Sequence, residues 1–90
     1  MEKYLLAEID VFDGVQKVYK FENGYGASVV RHSFSYGGSS GMWEMALITF
    51  EEQKELEWEI EYREDFADGD VAGHLNDKDV LELLNWIRSL

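Results

Sequence analysis

The 90-residue chain has no cysteine and no proline, only eight Lys plus Arg against nineteen Asp plus Glu, and two histidines. Each shortage removes a class of function. Without cysteine there is no disulfide framework, no thiolate metal site and no thiol nucleophile. His32 and His74 are far apart in sequence and do not suggest a His-rich metal centre. A net charge of −11 means that the chain lacks the basic side chains that neutralise phosphates, so direct nucleic-acid binding is disfavoured. No apolar run approaches the ~18 residues of a membrane span. The opening Met-Glu-Lys-Tyr-Leu-Leu-Ala-Glu meets Glu8 and Asp10 before it can form the core of a signal peptide. The expectation is a cytoplasmic protein without membrane association and without a cofactor.

What remains is an ordinary folded composition, 46% hydrophobic and 30% charged, with room for one domain over residues 1–90. A domain this small buries a modest share of its surface, so a homodimer interface would add useful stability. Residues 4 to 12 alternate as a strand, and Asp13-Gly14 then reads as a two-residue hairpin turn into Val15–Phe21. Asn23-Gly24 repeats the signal, with a type I′ turn leading into a third strand over Tyr25–Tyr36. After Gly37-Gly38-Ser39-Ser40-Gly41, Met42–Phe50 is apolar enough for a fourth strand. A polar connection over 51–55 precedes Leu56–Tyr62, where large apolar residues alternate with glutamates.

From residue 63 to 73 the sequence reads as a loop. The period then changes to that of a helix, with Val80, Leu83, Leu84, Ile87 and Leu90 on one stripe. Asn76 is the expected N-cap, Asp77 and Asp79 place negative charge in the first turn, and Arg88 places a cation in the last. The fold class is therefore α+β: a five-stranded, mainly antiparallel curved meander with one C-terminal helix packed on one face.

Two-residue loops at both turns fix the register. Ile9 then faces Val18, Phe21 faces Gly26 and Val18 faces Val29. One face collects Leu5, Ala7, Ile9, Val11, Val18, Ala27 and Val29 as a bed for the helix. The other collects Leu6, Phe12, Val15, Tyr19, Phe21, Val30, Phe34 and Tyr36, which is too apolar for water. Either strands four and five, with Trp43 or Trp58, curl over that face, or a second copy covers it through Tyr19, Phe21, Phe34 and Tyr36.

Few residues suggest chemistry. The Gly-x-Gly at Gly24 and Gly26 lacks the third glycine and the Gly-Lys-Ser/Thr of a phosphate loop. Arg31, His32, Ser33, Ser35 and Glu44 border the glycine loop, yet neighbouring strand residues point to opposite faces, so His32 is badly placed to serve Ser33. No catalytic residue is assigned. Asp65, Asp68 and Asp70 lack the spacing of a calcium loop, so no metal ligand is assigned either.

Charge placement is the unusual feature. Between Glu51 and Asp70 ten acidic residues face only Lys54 and Arg63, a net of −8. Glu57, Glu59 and Glu61 line one side of the expected fifth strand, roughly 6.6–6.8 Å apart, close to the ~7 Å phosphate spacing of a nucleic-acid strand. With Glu64 and Asp65 they form a candidate acidic, DNA-mimic-like surface for a basic protein.

The pieces Phe-Glu-Asn-Gly-Tyr-Gly-Ala-Ser (21–28), Phe-Ser-Tyr-Gly-Gly (34–38), Gly-Met-Trp-Glu-Met-Ala-Leu-Ile (41–48) and Asp-Val-Ala-Gly-His-Leu (70–75) resemble a group of small uncharacterised proteins encoded by bacteriophages and prophages. The likeness spans roughly residues 18–87. No activity is established for that group, so the resemblance implies phage origin and action inside a bacterial host cell, and it carries over no site. The functional expectation is a non-enzymatic accessory protein that binds a host protein with a basic surface. The alternative is a structural or self-assembling phage protein, homodimeric or virion-associated, using the aromatic face.

Overall fold

A computed structural model describes residues 1–50, 57–67 and 71–90. The expected polar connection at 51–55, Leu56 at the start of the expected fifth strand, and Asp68–Asp70 lie outside the described residues. Strands β1 (Leu5–Val11), β2 (Gly14–Lys20), β3 (Tyr25–Arg31), β4 (Trp43–Phe50) and β5 (Trp58–Ile60) pair in chain order as an antiparallel meander. A further strand, β6 (Ala72–Leu75), also pairs with β4, and helix α1 (Asp77–Arg88) follows it. The α+β class is thus observed. β5 borders β4 at Ile48–Phe50 and β6 borders it at Trp43–Met45, so two short strands lie end to end along one edge of β4.

The helix begins where its residues demand. Asn76 accepts the Asp79 amide at 2.8 Å and Asp79 accepts the Asn76 amide at 3.1 Å, a reciprocal capping box. Leu84 and Ile87 enter the core, with Val80, Leu83, Trp86 and Leu90 packed around them. Against them the sheet presents Tyr19, Phe21, Ala27, Val29, Trp43, Met45 and Leu47.

That helix face differs from the expected one, and turn chemistry explains why. At the second hairpin the Phe21 amide donates to the Tyr25 carbonyl at 2.9 Å, and among residues 22–24 only Gly24 has positive φ, at +85°. A type I′ turn needs positive φ at both central residues. The loop is instead three residues with a left-handed glycine closing it. The extra residue sets Lys17 opposite Val29 and Tyr19 opposite Ala27, and a one-residue slip exchanges the faces. Tyr19 and Phe21 therefore lie beneath the helix, while Val18 turns to the far side.

In the first hairpin Val11 pairs with Gly14, so the turn residues are Phe12-Asp13 rather than Asp13-Gly14. This two-residue shift keeps Ala7, Ile9, Val11 and Val18 on one face. A bulge between Leu5 and Ala7 then puts Leu5 opposite Tyr19, on the helix side.

On the far face Val18, Ala46 and Ile48 are buried under Leu6, Ala7, Phe50, Trp58 and Val71. The face bearing Tyr19 and Phe21 is covered by α1 and not by strands four and five: Trp58 packs on the opposite face, with Val18, Ala46 and Ile48, and Trp43 belongs to the helix side. Gly26 stands opposite Lys20 and not Phe21, and the Phe50 ring lies against it: a Cβ at Gly26 would sit 2.7 Å from that ring. β3 ends at Arg31, well before Tyr36, because the chain turns at His32. The region expected to be a loop up to Gly73 contains the start of β6, whose four residues, one a glycine, are too few to show alternation.

Candidate functional site

Two turns meet at one end of the sheet. The β1–β2 turn supplies Phe12 and Asp13, and the connection after β3 supplies His32–Gly41. Ser33 ties them together: its amide donates to Asp13 Oδ1 at 2.9 Å and its hydroxyl donates to Asp13 Oδ2. These bonds, the side-chain one first, hold the Asp13 carboxyl below the ordinary carboxylate value. The result is an aromatic cluster on a pinned frame. The Phe12 and Phe34 rings meet edge to face with centroids 5.3 Å apart, and His32 lies 5.0 Å from Phe12.

The cluster is not a core. Phe12 and Phe34 are each 78% exposed and Tyr36 is 62% exposed. Phe12 also has φ +52°, a left-handed conformation that bulky side chains rarely adopt and that costs of order 1–3 kcal/mol. The chain thus holds an exposed phenylalanine in an unfavourable backbone state.

Behind the cluster lies an open cavity of about 460 Å³, lined by Asp13, Arg31, His32, Ser33, Ser39 and glycines of the loop. Polar groups in and around it shape the loop. His32 Nδ1 accepts the Phe34 amide at 3.1 Å, and Ser35 Oγ accepts the His32 amide at 3.0 Å and donates to the His32 carbonyl at 2.9 Å. Glu44 accepts the Tyr36 amide at 3.1 Å. The Arg31 guanidinium lies over the Trp43 ring at 4.2 Å, and Trp43 Nε1 donates to Asp77 at 2.9 Å. Arg31, His32, Ser33, Ser35 and Glu44 are therefore neighbours, as their spacing suggested, but they make no nucleophile–base pair with one another. Among the described residues, no three acidic or histidine side chains converge as a metal site, and no helix is long and apolar enough to cross a membrane.

The residues singled out from sequence divide. Of the four aromatics proposed for self-association, Tyr19 and Phe21 are 6% and 2% exposed and form the core under α1; the slipped register removed them from the surface. Phe34 and Tyr36 are exposed. Phe12 was expected to lie within a face and proves to be the turn residue beside Phe34. The missed signal is that Val11 and Gly14 close a two-residue loop as well as Phe12 and Val15 do, and Asp-Gly attracts the assignment.

On the acidic side, Glu57, Glu59 and Glu64 are exposed and Glu61 is half-buried. β5 is only Trp58–Ile60, so Glu59 alone of the ladder lies within a strand, although the Glu61 amide still reaches the Leu47 carbonyl at 2.8 Å. Asp65 is gripped by Arg63 through bonds of 2.8 and 2.9 Å, which hold its carboxyl below the ordinary value. Arg63 in turn lies near the Tyr25 and Trp86 rings, so this ion pair belongs to the edge of the helix packing.

Comparison with protein-family models, with curated proteins and with solved structures finds no match.

Proposed function

We propose that this protein is a non-enzymatic binding module that docks on another protein through the aromatic cluster at Phe12, His32 and Phe34. One observation carries the reading: Phe12 and Phe34 meet edge to face at 78% exposure while Phe12 sits at φ +52°. Exposed contiguous aromatics mark recognition surfaces, and backbone strain persists where function needs a side chain held in place. The hydrogen bonds from Ser33 to Asp13 pre-organise the cluster, which reduces the ordering cost of binding. The likeness to bacteriophage-encoded proteins supports a bacterial host protein as the partner, met inside the host cell.

A second reading has its own support. The exposed Glu57, Glu59 and Glu64, within a segment of net charge −8, favour a partner with a basic surface.

Affinity capture from bacterial lysate separates the two. The double variant Phe12→Ser/Phe34→Ser loses the protein that the wild type retains. If capture persists in that variant and disappears in Glu57→Lys/Glu59→Lys/Glu61→Lys, the acidic segment is the contact and the aromatic reading fails.

A further inference from the structure

The sheet ends differently at its two sides. Along β4 the outer strands are β5 and β6, three and four residues long, the second containing Gly73. Short, interrupted edges of this kind resist added strands. On the other side β1 runs for seven residues, with β2 as its one strand neighbour among the described residues, no glycine or proline, and a bulge only at its start. The Leu5 amide closes the preceding turn on Glu2. Among the described residues, Leu6–Val11 make no backbone hydrogen bonds except those to β2. Alternate residues of an antiparallel strand direct N–H and C=O away from the paired neighbour, so β1 presents a row of such groups outward.

The side chains along this edge are also ordered. Glu8 and Asp10 project on the helix side of the sheet and are exposed, while Ala7, Ile9 and Val11 project on the far side, with Ile9 47% exposed. Lys17 lies 3.9 Å from Glu8, and Asp10 faces Val15 across the strand pair. We propose that the outer edge of β1 accepts an extended segment of another protein as an added antiparallel strand, the incoming segment alternating basic and apolar residues. Its backbone would complete the outward hydrogen bonds, its basic residues would stand opposite Glu8 and Asp10, and its apolar residues would cover Ala7, Ile9 and Val11.

A second copy of the chain is disfavoured in the registers centred on Glu8, Ile9 and Asp10. A two-fold axis that pairs β1 with β1 keeps like faces together. Centred on Glu8 it opposes Glu8 to Glu8, centred on Ile9 it opposes Glu8 to Asp10, and centred on Asp10 it opposes Asp10 to Asp10. Carboxylates directly opposite each other repel. The same two residues that keep copies apart select a partner of opposite charge. This edge is separate from the aromatic cluster and goes beyond the function proposed from it.

The test uses the full chain and short capped peptides. A peptide alternating lysine and valine binds and slows hydrogen exchange at alternate β1 amides. A peptide of the same composition with its lysines and valines in two blocks binds more weakly, because charge without alternation cannot satisfy both faces. Glu8→Lys/Asp10→Lys, at exposed positions, weakens the lysine–valine peptide by about tenfold or more and gains binding to a glutamate–valine peptide. No binding, equal binding of the block peptide, protection outside β1, or affinity unchanged by the double reversal would each overturn the proposal. Phe34→Ser leaves the peptide affinity unchanged.

Discussion

The side-chain amide of Asn23 lies 2.9 Å from the carbonyl oxygen of Ile87, so the tip of the β2–β3 hairpin caps the far end of α1. The same Nδ2 is within 3.2 Å of the Arg88 and Leu90 carbonyls, and Asn23 Oδ1 accepts the Tyr25 amide at 3.0 Å. One residue thus shapes a turn and supplies a side-chain donor to carbonyls at the end of the helix, where the regular backbone ladder stops. Asn23→Ala should cost about 1–3 kcal/mol by chemical denaturation. Asn23→Asp, which sets a carboxylate against the negative end of the helix, should cost more at neutral pH than Asn23→Ala does. If Asn23→Asp were the milder change, the cap would not be carrying this stability.

Burial of Leu84 at 2% exposure makes it the measure of how far the fold depends on α1. Leu84→Ala should lower unfolding free energy by about 2–5 kcal/mol. A denaturation midpoint equal to wild type would show that the sheet holds without the helix stripe.

At Phe12 stability and binding should oppose each other. Asparagine tolerates left-handed φ better than phenylalanine, so Phe12→Asn removes strain worth about 1–2 kcal/mol while giving up an aromatic contact worth about 0.5–1.5 kcal/mol. The expected melting temperature equals or exceeds wild type, with partner binding lost. A melting temperature several degrees lower would mean that the cluster serves the fold rather than a partner.

The Asp13 and Asp65 carboxyls, held low by Ser33 and Arg63 respectively, give the pH dependence a definite sign. Between the lowered folded value and the ordinary one, the unfolded chain binds more protons than the folded chain. Both contributions are therefore present above the ordinary carboxylate range and are lost as the pH falls through the folded values. In an NMR titration, Ser33→Ala should move the Asp13 midpoint up toward the ordinary value and leave Asp65 unmoved. An Asp13 midpoint unchanged by that substitution would remove Ser33 as the cause.

What could be read from the residues was what they decide locally. Asn76, Asp77, Asp79 and the apolar stripe of α1 agree with one another, and the helix starts and packs as they indicate. The order of β1 to β5 was legible for the same reason, because apolar strands are punctuated by Gly, Asn and Asp. The faces were not. A three-residue loop at Glu22-Asn23-Gly24 and a two-residue loop at Asn23-Gly24 have almost the same sequence, yet they differ by one residue of register, which decides whether Tyr19 meets helix or water. Long-range packing chooses between them, here through Asn23 reaching Ile87. The aromatic cluster was half visible, since Phe34 stood out, while Phe12 depended on the placement of the first turn.

Because α1 follows every described strand, the surface built by Tyr19, Val29, Met45 and Leu47 is covered only when the residues of α1 have been made. A ribosome emitting this protein therefore holds out a paired sheet with an apolar side still bare, and a nascent chain halted before Asp77 would carry that bare side into the cell. Such a fragment should need chaperone protection or be degraded.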